Sequence, residues 1–231
     1  MGDPPAPRPD HRYRLRLARR ADIAAVDALR IAAYQAAPWM PGVAAEALRC
    51  RHDGGATRVM TAWWQGQLVA TSAVVLAHDL AALRDELDAP AFDPGDVCWP
   101  VLVSKRTAVM PGLQGRGVVA LFRHHYLRAA CELGAGAVCS GHVAATPNVR
   151  GLVRLGYAVH DMGERALAGL GSTATVRTLV CCLLAAKLDA ALSTLHALEP
   201  EIATRHRWQG PGLAAALRAT LPAPSRLGQD P

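Results

Sequence analysis

Alternating polar and apolar side chains predict the first strand of this chain, and apolar side chains at helical spacing predict its first helix. Residues 13–18 alternate in the manner of a half-buried strand. Asp22 then stands at the N-cap position of a helix whose apolar residues recur from Ile23 toward Pro38. A shorter helix is predicted over residues 43–50. Ordered structure is therefore expected to begin at about residue 13.

A long β-hairpin follows, and then a polar segment interrupts the pattern. Residues 57–64 and 67–77 are rich in apolar side chains and flank a Gln-Gly pair, which predicts two antiparallel strands joined by a tight turn. Residues 78–96 are polar and rich in aspartate and glutamate, and they contain a short predicted helix at 80–87. We interpret residues 78–96 as an insertion between the hairpin and the next strand.

Strands and helices alternate in the second half of the chain. The patterns predict a strand over residues 97–109, a helix over 118–133, a strand over 136–143, a short helix over 147–155, extended chain over 157–162, a strand over 176–184 and helices over 187–198 and 211–221. The chain then divides into a disordered, proline-rich leader (1–12), an α/β domain (13–184) and a C-terminal helical extension (185–231).

Composition and charge narrow the classes of function. Half of the 231 residues are hydrophobic, so the chain can bury a full core. The net charge of +6 comes without the aromatic-interleaved basic stripe that nucleic-acid binding favours, and no apolar run is long enough to span a bilayer. The six cysteines show no paired metal spacing, so we interpret them as reduced, buried thiols of a cytoplasmic protein without a metal. Neither nucleic acid nor a membrane is expected as a partner.

A glycine-rich loop joins the predicted strand 97–109 to the predicted helix 118–133. This segment, residues 110–117, is called the glycine loop below and carries glycines at positions 112, 115 and 117. Glycines let backbone N–H groups converge at the start of a helix, where the unpaired donors and the helix dipole favour an anion. Arg116 adds a positive charge. The alternative interpretation is a turn that only connects strand to helix.

The residues of this loop resemble a motif of a known superfamily. Gln114-x-x-Gly117, preceded by Val109-x-Pro111, resembles the pyrophosphate-binding motif of the GCN5-related N-acetyltransferases. Val119 departs from that motif, which has Gly or Ala at this position. The tripeptide Leu-Gly-Tyr at 155–157 resembles a second signature, found after the last catalytic helix of the superfamily.

The resemblance implies a fold and a co-substrate. The implied fold is α/β, with a mixed, mostly antiparallel central sheet that contains a splayed parallel strand pair and is flanked by helices. The implied co-substrate is a coenzyme A thioester, without a metal. The residues that the motif assigns to the cofactor are Val109, Met110, Gln114, Gly115, Arg116, Gly117 and Val118.

The usual proton-transfer residues of that superfamily are missing from this chain. Val103 stands where many members have a carboxylate base, and Leu152 where many have a tyrosine acid. His142, at the carboxyl end of the strand 136–143, is the best candidate for a base. Ser140 and Tyr157 are candidates for a proton relay. The alternative for His142 is a hydrogen bond that only fixes a loop.

Donor, acceptor and partners follow from the resemblance and leave alternatives open. Transfer of an acyl group from acyl-CoA to the amine of a small molecule, by direct attack, is favoured. The polar insertion followed by Ser104-Lys105-Arg106 loosely resembles the autoinducer and N-acyl amino acid synthases, so an acyl carrier protein is the alternative donor and partner. A non-catalytic CoA-binding regulatory domain is a further alternative, and the C-terminal helices suit a homodimer. The insertion and these helices are expected to shape the acceptor or acyl side of the cleft and not its pyrophosphate side.

Overall fold

A single β-sheet of eight strands organises the chain in this computed structural model, which describes residues 13–50 and 55–221. The strands are β1 (Tyr13–Leu17), β2 (Arg58–Trp64), β3 (Gln67–Ala77), β4 (Val101–Val109), β5 (Ala137–Val143), β6 (Ala158–Ala166), β7 (Thr175–Leu184) and β8 (His206–Gln209). The helices are α1 (Ile23–Gln35), α2 (Leu80–Leu87), α3 (Val118–Leu133), α4 (Asn148–Arg154), α5 (Leu188–Leu198) and α6 (Leu213–Arg218). The predicted leader at 1–12 lies outside the described residues.

The strand order confirms the predicted fold class. The sheet reads β6-β7-β5-β4-β3-β2-β1-β8, and most neighbours run antiparallel. The parallel pairs are β4 with β5, near the centre, and β1 with β8, at one edge. A parallel pair needs a crossover connection, and α3 provides it between β4 and β5. The molecule is therefore α/β, with a mixed, mostly antiparallel sheet and helices on its faces.

Two apolar clusters cover the two faces of the sheet. Leu76 and Leu102 point toward α3, α5 and α6, whereas the neighbouring Val75 and Val103 point toward α2. Successive residues of a strand face opposite sides, so strands covered on both faces consist of continuous apolar residues. Strand β3 shows this most fully, because ten of its eleven residues are buried. Helix α1 packs on a smaller cluster that includes Leu68.

The parallel strands β4 and β5 separate toward their carboxyl ends. They pair over Val101–Val103 and Ala137–Cys139, and the register stops there. Beyond this point β4 contains a bulge, since its pairing with β3 shifts between Lys105 and Ala108. Arg106, inside the bulge, has a φ of 52°. A bulge bends its strand, and the opening between β4 and β5 becomes the site described below.

The C-terminal segment differs from the prediction, because it also contributes a strand. Strand β8 pairs in parallel with β1, opposite Tyr13 to Arg16. The sequence of β8, His-Arg-Trp-Gln, is four residues long and carries no periodic pattern. Its strand conformation results from pairing with a segment almost the whole chain away. The extension after residue 184 is therefore helix, strand and helix, and not helical throughout.

Two local predictions in the first fifty residues also need correction. The helix predicted over residues 43–50 is a single 3₁₀ turn, Glu46–Leu48. Asp22 precedes α1 as predicted, but its carboxylate makes no capping bond to that helix. It accepts hydrogen bonds from the Arg16 guanidinium at 2.5 and 2.9 Å and from the Arg19 amide at 2.6 Å. The Arg16 hydrogen bond is the main reason that the pKa of Asp22 lies below its usual value.

The six cysteines are free, but they are not all buried. Cys139, Cys181 and Cys182 lie in the core, whereas Cys98 and Cys131 are exposed. The prediction of buried thiols is thus wrong for these last two. Cys98 lies in irregular chain before β4 and Cys131 on the surface of α3, where an apolar sequence context does not imply burial. Across the described residues, no helix combines the length and the apolar character that crossing a bilayer requires.

Candidate functional site

A cavity of about 920 Å³ opens where β4 and β5 separate. Its walls are formed by β4 from Ser104 onward, the glycine loop, the first half of α3 and the end of β5. The start of α4 closes one side. The end of α2 closes another, through Asp85, Glu86 and Leu87, so the polar insertion contributes directly to the cavity wall.

The glycine loop meets the N-terminus of α3 at one end of this cavity. Gly115 and Gly117 have φ angles of 77° and 75°, which glycine adopts without strain. The amides of Leu113 and Arg116 donate within the loop, at 3.0 and 3.4 Å. The first amides of α3 have no carbonyl four residues earlier in the helix, and they lie at the positive end of a 16-residue dipole. This end of the cavity can therefore hold an anion on backbone groups.

Most residues predicted to bind the cofactor line the cavity. These are Val109, Gln114, Gly115, Gly117 and Val118. Met110 instead packs against the hydrophobic core, and its amide donates to the carbonyl of Val69 at 2.8 Å. The side chain of Arg116 points outward and is exposed. The structure thus brings five of the seven predicted residues to the cavity wall and places Met110 and Arg116 away from it.

An ion pair from the C-terminal segment lies over the glycine loop. Arg205 Nη1 donates to Glu199 Oε2 at 3.0 Å, and Nη2 donates to the carbonyl of Arg116 at 2.6 Å. A Cβ on Gly117 would approach Arg205 Nη1 to 2.9 Å. The C-terminal helices were expected on the acceptor or acyl side of the cleft, and that expectation stays a prediction. The contacts with the glycine loop come from Glu199 and Arg205, which lie between α5 and β8.

Ser140 and His142 lie together at the inner end of the cavity. They are two residues apart in β5 and so face the same side of the sheet. Ser140 Oγ and His142 Nε2 are 2.8 Å apart, and both residues line the cavity. Burial, and to a lesser extent the nearby Arg123, lowers the pKa of His142 to about 4. The imidazole is therefore neutral at pH 7, with a lone pair that is free to accept a proton, and its low pKa makes it a weaker base than an ordinary histidine.

Tyr157 lies in the core, outside the cavity wall. It is 5% exposed and belongs to the large apolar cluster under α3. Burial raises the pKa of its phenol well above the usual value, and the neighbouring Tyr126 raises it further. The structure therefore places Ser140 next to His142, whereas Tyr157 lies in the apolar core and does not line the cavity.

Arg123 is a residue of the site that the sequence patterns did not reveal. It lies on α3 and lines the cavity, yet it is 8% exposed. Its Nη2 donates to the main-chain oxygen of Asn148 at 3.3 Å and to the side-chain oxygen of the same residue. The only signal in the sequence is an arginine next to Phe122, on the apolar face of a helix.

The opposite wall carries charges that are already paired. Lys105 forms an ion pair with Glu86, and Arg165 approaches Asp88 at 3.8 Å. Both pairs join the polar insertion to strands of the sheet. They hold α2 against the cavity and leave its inner end to Arg123, Ser140 and His142.

A group of four histidines lies outside the cavity, where α3 meets the C-terminal segment. His124 Nδ1 is 3.0 Å from His196 Nε2, and His125 Nε2 is 2.8 Å from His206 Nε2. Burial lowers the pKa of His124 to about 4 and that of His125 to about 3. Within the part of the chain that the structure describes, no cluster of His, Cys, Asp or Glu has the arrangement of a metal site. These histidines pack the C-terminal segment onto α3.

Solved structures match this chain in fold. No protein-family model matches it, and no curated protein matches it in sequence. BjaI, a CoA-dependent acyl-homoserine lactone synthase whose structure holds SAM and isopentyl-CoA, aligns over 89% of this chain and 97% of its own, with a TM-score of 0.54 and 14% identity.

Two further structures extend the comparison. FeeM, an N-acyl amino acid synthase from uncultured soil microbes, aligns over 78% of this chain and 94% of its own, with a TM-score of 0.53 and 14% identity. An N-acetyltransferase from Staphylococcus aureus Mu50 aligns over 74% of this chain and 98% of its own, with a TM-score of 0.51 and 10% identity. The chain therefore has the fold of the GCN5-related N-acetyltransferases, which the acyl-homoserine lactone and N-acyl amino acid synthases share. At these identities the likeness concerns the fold.

Proposed function

We propose that this protein is an acyltransferase that moves an acyl group from an acyl-CoA thioester to the amine of a small molecule. One observation carries the proposal. The glycine loop, which can hold a pyrophosphate on backbone amides, and the Ser140–His142 pair, which can accept a proton, open into the same cavity. The fold is also that of BjaI, a CoA-dependent synthase. Anion binding holds the CoA donor, and proton transfer allows the amine to attack, so both features serve acyl transfer from CoA.

The proposed reaction is a direct attack. The amine nitrogen attacks the thioester carbonyl carbon, a C–N bond forms, and the C–S bond then breaks to release the CoA thiolate. Neutral His142 takes the proton of the amine. The hydrogen bond between Ser140 Oγ and His142 Nε2 keeps the imidazole ring in one orientation. A backbone N–H near Val109, at the end of β4, is the candidate donor to the developing oxyanion. The walls of the cavity align the two substrates.

The structure is consistent with the absence of the usual acid and base. Val103 is fully buried on the far face of the sheet, and Leu152 lines the cavity with an apolar side chain. Neither side chain can exchange a proton. The proposal assigns the proton to His142 or to water, and the departing thiolate, with its low basicity, does not depend on a protein acid.

The proposal is tested by transfer assays with the purified full chain. Acetyl-, butyryl- and octanoyl-CoA are offered with a panel of amines, and both free thiol and acylated amine are measured. We expect thiol release that depends on the amine and matches the product mole for mole. If product forms only from acyl carrier protein thioesters, the donor is acyl carrier protein and not CoA. No product from either donor class would favour a non-catalytic CoA-binding domain.

A further inference from the structure

Arg123 is a buried cation without a counter-charge. Its described hydrogen-bond partners are the two oxygens of Asn148 and the phenol of Tyr126, all of which are neutral. Its Nε is buried and has no hydrogen-bond partner. Within residues 13–50 and 55–221, no carboxylate forms an ion pair with this guanidinium. An unpaired buried charge is strongly unfavourable, so this arrangement requires an explanation other than stability.

The other wall of the cavity provides an internal comparison. Lys105 is paired with Glu86, and Arg165 lies near Asp88, so those cations have counter-charges that belong to the protein. Arg123 faces the same cavity with neutral partners only. Its counter-charge is therefore expected to arrive with a ligand.

A glycine in helix α4 leaves room for the Arg123 guanidinium. Gly151 lies inside α4, and a Cβ at this position would be 2.8 Å from Arg123 Nη1. Glycine weakens a helix interior relative to alanine. Alanine would be the better residue for α4 itself, so Gly151 accommodates the arginine. Gly151 thus leaves space for the Arg123 guanidinium between α3 and α4, where it donates to Asn148.

The position of Arg123 separates it from the glycine loop and joins it to the Ser140–His142 pair. Arg123 lies six residues after Gly117, which is roughly 9 Å along a helix that rises 1.5 Å per residue. It is close enough to His142 for its charge to help lower the pKa of that imidazole. An anion bound to Arg123 would therefore sit beside the candidate base, away from the pyrophosphate end.

We propose that Arg123 binds a carboxylate of the substrate next to Ser140 and His142, so that this protein acts on a carboxylate-bearing substrate. A guanidinium presents parallel N–H donors that match the two oxygens of a carboxylate. Two sources can supply this group: an amino acid acceptor, or the free end of a dicarboxylic acyl group. The inference rests on the proposed acyl transfer at the same cavity.

Matched substrates test the inference with the wild-type protein. Each amino acid acceptor is paired with its decarboxylated amine, such as phenylalanine with phenethylamine. Each dicarboxylic donor is paired with its neutral analogue, such as succinyl-CoA with butyryl-CoA. Losing one partner of a buried charge pair weakens binding by about thirtyfold or more. We expect a preference of that size, in kcat/KM, for the carboxylate member of one of the two pairs, and that pair identifies the source.

Variants then assign the preference to Arg123. Arg123→Gln retains a donor for Asn148 but removes the charge. Arg128→Gln is the matched control, because Arg128 lies on the same helix with its side chain 58% exposed. Arg123→Gln should lower kcat/KM for the carboxylate member far more than for the decarboxylated or neutral member, so that the preference falls from about thirtyfold to near one, whereas Arg128→Gln should keep it. Its melting temperature without ligand should equal or exceed that of the wild type.

Ligand-induced thermal stabilisation is the second readout, and it separates this inference from the proposed function. Stabilisation by a carboxylate ligand that Arg123→Gln loses and Arg128→Gln keeps supports the inference, even if no transfer occurs with any donor. Transfer that shows no carboxylate preference in either pair overturns it and leaves the proposed function intact. If Arg123→Gln does not fold, the wild-type comparison still decides. Absence of both transfer and carboxylate-dependent stabilisation contradicts both proposals.

Discussion

The two ends of the cavity are built in different ways. At the outer end, Gly115 and Gly117 shape a loop whose backbone amides offer the binding groups, and all of this lies within eight consecutive residues. At the inner end, side chains from α3 and β5 converge: Arg123, Ser140 and His142. A backbone anion site is a local structure, whereas a side-chain constellation depends on how separate elements pack. The outer end is therefore suited to an anionic group that many ligands share. The inner end is suited to the reacting groups of one particular substrate.

We therefore expect substitutions at the inner end to lower the catalytic rate and substitutions at the outer end to weaken CoA binding. The largest effect is expected at the inner end. Replacing His142 with alanine should lower kcat by about a hundred- to ten-thousandfold, the usual contribution of a general base. CoA affinity should change little, because His142 lies away from the glycine loop. His160→Ala, a histidine of β6 outside the cavity wall, is the matched control.

The pH profile of kcat/KM sharpens this prediction. Burial holds the pKa of His142 at about 4, so the imidazole is neutral above that pH and the base is lost only as the pH falls through about 4. The wild type should show an acidic limb there, and His142→Ala should lack it while keeping any limb that belongs to the amine. A limb that persists in the variant would assign the proton transfer to another group.

At the outer end, a smaller effect on binding is expected. Gly115→Asp places a carboxylate at the anion site, where a Cβ meets no other atom, and should raise the Kd for CoA by about tenfold or more through charge repulsion. Gly112→Asp is the control, because it has the same charge and a positive φ in the same loop but stands outside the cavity wall. Calorimetric titration with CoA measures both. Equal losses in the two variants would mean that the loop is only a connection.

The smallest effect is expected outside both ends, at the four histidines under the C-terminal segment. The pKa values of His124 and His125 are lowered to about 4 and about 3, mainly by burial. Below about pH 6.5 the two imidazoles take up protons in the unfolded chain, but in the folded chain they do so only near pH 4 and pH 3. Their contribution to the free energy of unfolding is therefore complete above about pH 6.5 and is lost as the pH falls. Urea unfolding at pH 5 should give a free energy of unfolding lower than at pH 7, on the order of 1 kcal/mol after allowance for partial solvation.

A double variant separates the histidine group from other titrating residues. Replacing His124 and His125 with glutamine should flatten this pH dependence, while the contribution of His142, which acts in the same direction, remains. An unchanged slope in the double variant would show that the pKa values of these histidines are the same in the folded and unfolded chains.

The fold could be predicted where local pattern and local caps agree. Helices α2 and α3 begin and end at the predicted residues, because Asp79 caps α2 by accepting from the Ala82 amide and Gly134 ends α3 in a left-handed conformation. Strand β8 could not be predicted, since its four residues gain their conformation only by pairing with β1. Sequence patterns did not predict elements whose conformation depends on contacts with distant segments of the chain.

The same distinction holds for the site. The glycine loop and the Ser140–His142 pair were predictable, because a loop motif and two residues on one strand face are local features. Arg123 was not, because its role depends on Gly151 of α4 and on the absence of a nearby carboxylate, and both are properties of the packed chain. Arg205 and Glu199 over the glycine loop were missed for the same reason. The predicted homodimer and the choice of acceptor stay predictions.

A crystal structure of the full chain with a non-hydrolysable acyl-CoA thioether tests most directly the claim that the two ends form one site. We predict a pyrophosphate on the backbone of residues 114–118 and an acyl group extending between β4 and β5 toward Ser140 and His142. Clear density for the ligand with its acyl end outside this cavity, or with its pyrophosphate away from the glycine loop, would contradict it.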